Sequence, residues 1–492
     1  MNSVILTVLL PLIILAGAAI LILLVIAFKR NHFLTFLLSA GALIAGFGSL
    51  FFISDLAPQM IAPLMIVDSY ALFYMGLIFV STLAIVLLSY DYLKQLEGEH
   101  EEFYLLLLLA ALGSMVLVVS QHFVTLFLGL EILSVSLYIL ISYLHTRDQC
   151  IEAGVKYLIL AAASSAFLLF GMALIYNATG TMEFSLLPQR LAMPAPSMLL
   201  VFSGLGLMLV GIGFKLAVVP FHMWTPDVYQ GAPAPVTAFI ATVSKGGMFA
   251  LILRFFITFD IYSYPVLLLI FTVIAIASMF IGNLLALMQQ NVKRILAYSS
   301  IAHLGYLLVA FLAGRKYATE AATFYLVAYF VTSIGAFGII SILSGKEREA
   351  DQIHDYQGLY WRSPWLAVIF TAMIFSLSGI PLTAGFVGKF FVLIAGVNSA
   401  LWMLVVILVV NSTIGLFYYL RIVVAMFTPT GQEEKPIGKL NSGLPLAGGM
   451  VLAAMLLLLI WLGIYPFQLL DLIKSISSSL NNGLFSSFHL IP

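Results

Sequence analysis

The stretch GFKLAVVPFHMWTPDVYQGAPAPVTAFIATVSKGG, residues 213–247, decides how this chain is read. Lys215 and Lys245 are each embedded in apolar sequence suited to lipid, and between them stand four prolines, a histidine and an aspartate. Pro220 cannot donate to the carbonyl of Leu216, so the helix that carries Lys215 must open beside the lysine. A break at membrane depth is tolerated only where it packs in protein or lines a wet cavity. His222 and the segment leading to Asp227 supply polar groups at the opening. Pro226, Pro233 and Pro235 then shape a turn that returns the chain to a second helix, and Lys245, ten residues past Pro235, falls near mid-membrane. Gly246 and Gly247 leave room there for a close neighbour or for water. The stretch reads as two spans with a titratable amine on each.

The whole chain agrees with a membrane setting. Of its 492 residues 63% are hydrophobic and 9% charged, and the mean hydropathy is +1.13; a soluble fold could not hide so much apolar surface. Lys plus Arg and Asp plus Glu are both 21, so no basic field suggests a nucleic-acid partner. The single cysteine, Cys150, excludes an internal disulfide framework and a thiolate-ligated cluster held by this chain alone. The first thirty residues lack a basic n-region and an Ala-x-Ala cleavage signal, and read as a retained first span.

A spanning helix needs roughly 20 apolar residues, and cutting at polar breaks gives about 14 segments. They run 3–28, 33–53, 69–90, 103–120, 122–144, 154–177, 198–225, 234–258, 264–288, 295–313, 320–343, 365–395, 400–427 and 443–466, the cut around Ser120 to His122 being the weakest. With the N-terminus outside, the inner loops hold Lys29, Arg30, Lys94, Arg147, Lys293, Arg294, Lys346, Arg348, Arg362, Lys435 and Lys439, and the outer side only Arg190, Arg254, Arg315, Lys316 and Lys474. That bias places both termini outside, the periplasmic side in a bacterium. No loop is long enough for a soluble domain, so the chain, 1–492, is a single all-α membrane domain. Its tail, 467–492, is either a surface-lying amphipathic helix or a plain disordered end.

Glu131, Lys156, Lys215, Lys245 and Lys389 remain at or near membrane depth, where a lone charge costs about 2.5–3.5 kcal/mol on insertion scales. Glu131, in LFLGLEILSVSLYIL, shares a helical stripe with Ser134 and Tyr138. A static salt bridge to one lysine is the alternative, but it would leave the others unexplained. In FSLSGIPLTAGFVGKFF, Gly379 and Pro381 break the twelfth span, and Lys389 follows the proline by eight residues. Eight residues of helix rise about 12 Å, so this lysine is expected to be less intimate with its break than Lys215. Interrupted seventh and twelfth spans fit five-span repeats, 103–258 and an inverted 264–427, flanked by 1–90 and 443–492. Lys156, four residues after Glu152, fits an exposed helical ion pair as well as a functional role. His303, in LAYSSIAHLGYLL, could relay a proton or simply pack. Arg421 reads as structural. Desolvation favours the neutral form of a lysine and a nearby carboxylate the charged form, so a buried lysine beside a movable negative charge can be switched.

FLGLEILSVSLYIL, residues 213–247, NVKRILAYSSIAHLGYLLVA and FSLSGIPLTAGFVGKFFVL resemble the antiporter-like membrane subunits of the proton-pumping NADH:quinone oxidoreductase, respiratory complex I, and of Mrp-type sodium/proton antiporters. Within that family the likeness is to the N-type subunits of bacterial complex I, over essentially the whole chain. The resemblance implies a 14-helix subunit with two inverted five-helix repeats and broken helices 7 and 12. It assigns proton translocation to Glu131, Lys215, Lys245 and Lys389, with Lys156 matching a further family lysine. It places FMN, iron–sulfur clusters and quinone in partner subunits, with no cofactor here, and sets the chain among other membrane subunits in the bacterial inner membrane. An Mrp-type antiporter subunit and a passive assembly scaffold are the alternatives.

Overall fold

The computed structural model describes residues 3–193, 197–346, 348–429 and 446–486. Among these, thirteen helices are long and apolar enough to cross a bilayer, and Pro364–Ser378 and Ala384–Asn398 are two shorter apolar helices. We label the main helices α1 (Leu10–Phe28), α2 (His32–Ile53), α3 (Ser69–Lys94), α4 (Glu101–Val119), α5 (Phe123–Ile141), α6 (Asp148–Thr179), α7 (Met198–Leu216), α8 (Trp224–Gly231), α9 (Ala234–Phe239), α10 (Lys245–Phe259), α11 (Pro265–Leu287), α12 (Val292–Leu312), α13 (Arg315–Leu343), α14 (Pro364–Ser378), α15 (Ala384–Asn398), α16 (Trp402–Phe427), α17 (Leu446–Ile464) and α18 (Phe467–Ser486). A π-helix, Ile240–Ser244, joins α9 to α10.

Helix starts follow local chemistry. The side chains of Asn31, Asp68, Asn291 and Thr383 each accept a backbone N–H from the first turn of α2, α3, α12 and α15, satisfying donors that lipid could not. Where helices cross, small residues let backbones approach, because lipid supplies no hydrophobic drive between spans. A methyl at Gly113 of α4 would lie 2.5 Å from the backbone N of Leu133 on α5, and one at Gly282 of α11 would lie 2.7 Å from that of Ala302 on α12.

Burial separates centre from rim. The α9–α10 span is wholly buried, and the most apolar windows of α12 and α13 are 94% buried, whereas that of α1 is 22% buried. The helices bearing Lys245 and His303 therefore form the middle of the bundle, out of reach of lipid. Two cations counted as loop charges also prove internal. Arg254 is 1% exposed and paired with Asp68, and Lys293 is fully buried against Glu349. Lys435 and Lys439 lie outside the described residues.

The fold is not purely helical. Gln59–Ile61 and Met65–Val67 form a small antiparallel hairpin, and Met65 bridges to Ser120 at the α4–α5 turn. A three-residue strand gives no alternation long enough to see in sequence. The tail resolves in favour of a helix. In α18, Ile473, Ile476 and Leu480 are buried, while Asp471 and Lys474 pair at the exposed face; residues 487–492 lie outside the described residues.

Candidate functional site: a row of buried lysines

Both interrupted spans end in the same way. At the end of α7, Ala217 (φ 60°) donates to Phe214 O and Val218 to Gly213 O. At the end of α14, Gly379 (φ 86°) donates to Ser376 O and Ile380 to Phe375 O. These are Schellman-type terminations, which satisfy the last carbonyls with a left-handed residue. Ala217 adopts that conformation with a Cβ, at a cost of roughly 1–2 kcal/mol. Trp224 Nε1 donates to Phe214 O at 2.9 Å, tying α8 back to the broken end.

Lys215 sits in the last turn of α7, 3% exposed, where the negative end of the helix dipole favours an ammonium. Its Nζ donates to Ser134 Oγ and to Tyr157 OH, both at 2.9 Å. Glu131, one turn before Ser134, is partly buried and accepts from Ser165 Oγ at 2.7 Å. The expected Glu131–Lys215 encounter is therefore indirect. No described salt bridge joins them, and the polar stripe continues through Tyr138, whose ring packs against Tyr157. The void between Ser134, Ser164, Ser165 and Lys215 is too narrow for a water molecule.

Lys245 opens α10, directly after the π-helix, and is 2% exposed. Its Nζ donates to Ser300 Oγ at 2.5 Å and lies 5.5 Å from the Tyr229 ring centre. Ser300 belongs to α12, whose residues 300, 303 and 306 share one face at a spacing of three. His303 is the next member. Its Nδ1 lies 2.6 Å from Tyr325 OH and its Nε2 3.1 Å from Tyr419 OH, and Tyr419 in turn bonds Ser299. Tyr306, the third member, presents its ring 5.3 Å from Lys389 Nζ.

Lys389 overturns one expectation. Its Nζ donates to Leu377 O at 3.0 Å, Ser378 O at 2.8 Å and Ser412 Oγ at 2.8 Å, so it is bonded directly to the open end of α14. Counting helical rise from Pro381 fails because the chain doubles back. Gly385 N–H donates to Ser376 Oγ, and a methyl on Gly385 would meet Ser376 O at 1.9 Å, so the start of α15 overlaps the end of α14. The cavity lined by His303, Tyr325, Tyr329, Thr332 and Lys389 offers about 10 Å³, the lower limit for one water.

The remaining candidates stand apart from the row. Lys156 pairs with Glu152 at 2.6 Å and Asp227 at 2.9 Å with its side chain 43% exposed, and Asp227 also binds Arg294 at 2.7 Å. Lys156→Met is expected to change thermal stability by less than about 1 kcal/mol, as for other exposed pairs; a thermal melt of the assembled complex checks this. His222 is buried within the turn that follows α7, and its Nδ1 has no partner among the described residues. Arg421 donates to the carbonyls of Leu287 and Gln289, closing the end of α11, in keeping with a structural role.

Sequence reading missed the lysines' partners Tyr157, Tyr229, Ser300, Tyr306 and Ser412, and Tyr419 beside His303. The Ser300, His303, Tyr306 spacing on one helix was the available signal.

Residues 120–415 match the family described as NADH:quinone oxidoreductase/Mrp antiporter, transmembrane. NADH-quinone oxidoreductase subunit N of Ectopseudomonas mendocina is 47% identical over 474 residues, 95% of each chain. Its namesake in Methylococcus capsulatus is 46% identical over 470 residues, 95% of this chain and 94% of the relative. A chain of respiratory complex I from Thermus thermophilus superposes with a TM-score of 0.80 at 34% identity, covering 94% of this chain and 98% of that one. A chain of the Mrp complex from Dietzia gives a TM-score of 0.84 at 21% identity over 96% and 97%, a likeness of fold alone. The broken spans, the buried lysines and these alignments together show that the chain belongs to the NADH:quinone oxidoreductase/Mrp antiporter transmembrane family, alongside relatives named NADH-quinone oxidoreductase subunit N.

Proposed function

We propose that this chain is a proton-translocating membrane subunit of a NADH:quinone oxidoreductase, in the bacterial inner membrane with both termini on the periplasmic side. One observation carries the reading. The chain pairs its structural buried cations with carboxylates, Arg254 with Asp68 and Lys293 with Glu349, but surrounds Lys215, Lys245 and Lys389 with hydroxyls, carbonyls and rings. An ammonium buried without a counter-ion is strongly unfavourable, and neutral acceptors let it lose and regain a proton without stranding an opposite charge. Glu131 biases Lys215, Lys245 and His303 continue the route, and Lys389 lies at its far end, on the second repeat's break.

In this reading electrons travel through flavin, iron–sulfur clusters and quinone in neighbouring subunits, and the repeats 103–258 and 264–427 each supply half of the path. The test uses the assembled complex in proteoliposomes. Lys245→Met and Lys389→Met are each expected to lower protons moved per NADH severalfold. Undiminished ratios in both would leave a scaffold role, and sodium exchange without NADH oxidation would favour an antiporter instead.

A further inference from the structure

Outside the lysine row, Glu349 lies in the loop after α13 with its side chain 9% exposed. One carboxylate oxygen meets Lys293 Nζ at 2.5 Å. The other accepts the Ala234 N–H at 2.9 Å and the Tyr92 hydroxyl, with Arg147 at 4.0 Å. Lys293, itself fully buried, also donates to the carbonyls of Gln230 at 3.1 Å and Ala232 at 2.6 Å. The pair thus grips the turn between α8 and α9 from both sides, the cation on its carbonyls and the anion on the first amide of α9.

That turn is the base of the helix that ends in Lys245. From Ala234 the chain runs through α9 and the π-helix Ile240–Ser244 before reaching Lys245. α12 begins beside Lys293 and, seven residues on, presents Ser300 to Lys245; two turns separate these residues on one face. The Lys245 span is therefore tied to α12 at two heights, by Lys293 with Glu349 below and by Ser300 above. Between the ties lies the π segment, where an extra residue has been admitted and the helical register is least constrained.

We infer that Glu349 is a positioning residue for proton movement: with Lys293 it clamps the 230–234 turn and so holds Lys245 against Ser300. The inference rests on Lys245 being a proton carrier. It differs from a purely cohesive role because the clamp acts on the register of one amine.

The test uses the assembled complex in proteoliposomes and reads protons per NADH together with amide hydrogen exchange across residues 234–245. Glu349→Gln keeps an acceptor for Ala234 N–H but removes the charge that meets Lys293. It is expected to lower the ratio severalfold, since displacement of a reacting group by an ångström costs up to about a hundredfold, and to speed exchange at 240–245. Glu349→Asp, one methylene shorter, gives intermediate values of both and carries the test if Glu349→Gln does not assemble. Adding Lys293→Met to Glu349→Gln lowers the ratio little further, because the two act as one device. Wild-type ratio and wild-type exchange in the Gln variant, or in the Asp variant where that one carries the test, overturn the inference. Lys245→Met measured alongside separates the two failures. A normal ratio there removes the proton-carrier reading, whereas a lowered ratio there with normal Glu349 variants removes the clamp alone.

Discussion

Lys215→Met lowers NADH-driven proton translocation by the assembled complex about tenfold or more, the factor that roughly 1.4 kcal/mol adds to a barrier. Lys215 bonds Ser134, which lies three residues after Glu131 on one helix, and it lies in the last turn of a helix that opens two residues later. Replacing it removes the one amine on which both a charge switch and a backbone opening converge. The informative companion is Lys215→Arg. A guanidinium keeps the positive charge, finds acceptors in Ser134 and Tyr157, and does not release its proton in a protein. Both variants should therefore fail at proton movement while the quantity of assembled complex stays near normal. Translocation measured as dye-reported acidification per NADH oxidised decides the matter. Full translocation in Lys215→Arg would mean that a fixed charge suffices, and the proton-carrying role would be lost.

What sequence reveals here follows from how locally each feature is specified. The breaks were legible because Pro220, Gly379 and Pro381 act on their own turns, and the structure ends α7 at Leu216 and α14 at Ser378. Lys215, Lys245 and Lys389 were legible because a charge within an apolar run has few places to go. Their partners were not. Tyr157 lies 58 residues from Lys215, and Ser300 lies 55 from Lys245; a tyrosine or serine amid apolar residues does not announce which helix it faces. Lys389 was placed too far from its break because helical rise assumes one continuous axis, and the chain overlaps itself there. Arg254 read as a boundary charge for a similar reason, its counter-ion standing 186 residues earlier.

That counter-ion supplies the largest expected effect on stability. Asp68→Ala is expected to destabilise the chain by about 3–5 kcal/mol, the range found when one partner of a buried ion pair is removed. Arg254 donates to Asp68 from Nη1 at 2.9 Å and from Nη2 at 2.8 Å, donates from Nε to Val118 O at 3.2 Å, and lies over the Tyr70 ring at 4.8 Å. Asp68 also caps α3 by accepting Ala71 N–H at 2.8 Å, a contact worth about 1 kcal/mol by itself. Removing the carboxylate strands a fully desolvated guanidinium and frays the start of α3. A lowered thermal midpoint of the solubilised complex and a smaller yield of assembled subunit are the expected signs. The double variant Asp68→Leu with Arg254→Met should recover most of the loss, because both charges then leave the interior together. A wild-type midpoint in Asp68→Ala would show that Arg254 finds other compensation. Protons per NADH in whatever complex assembles should stay near normal, the opposite of the Lys215 result. The two outcomes together separate cations buried to hold helices together from amines buried to carry protons.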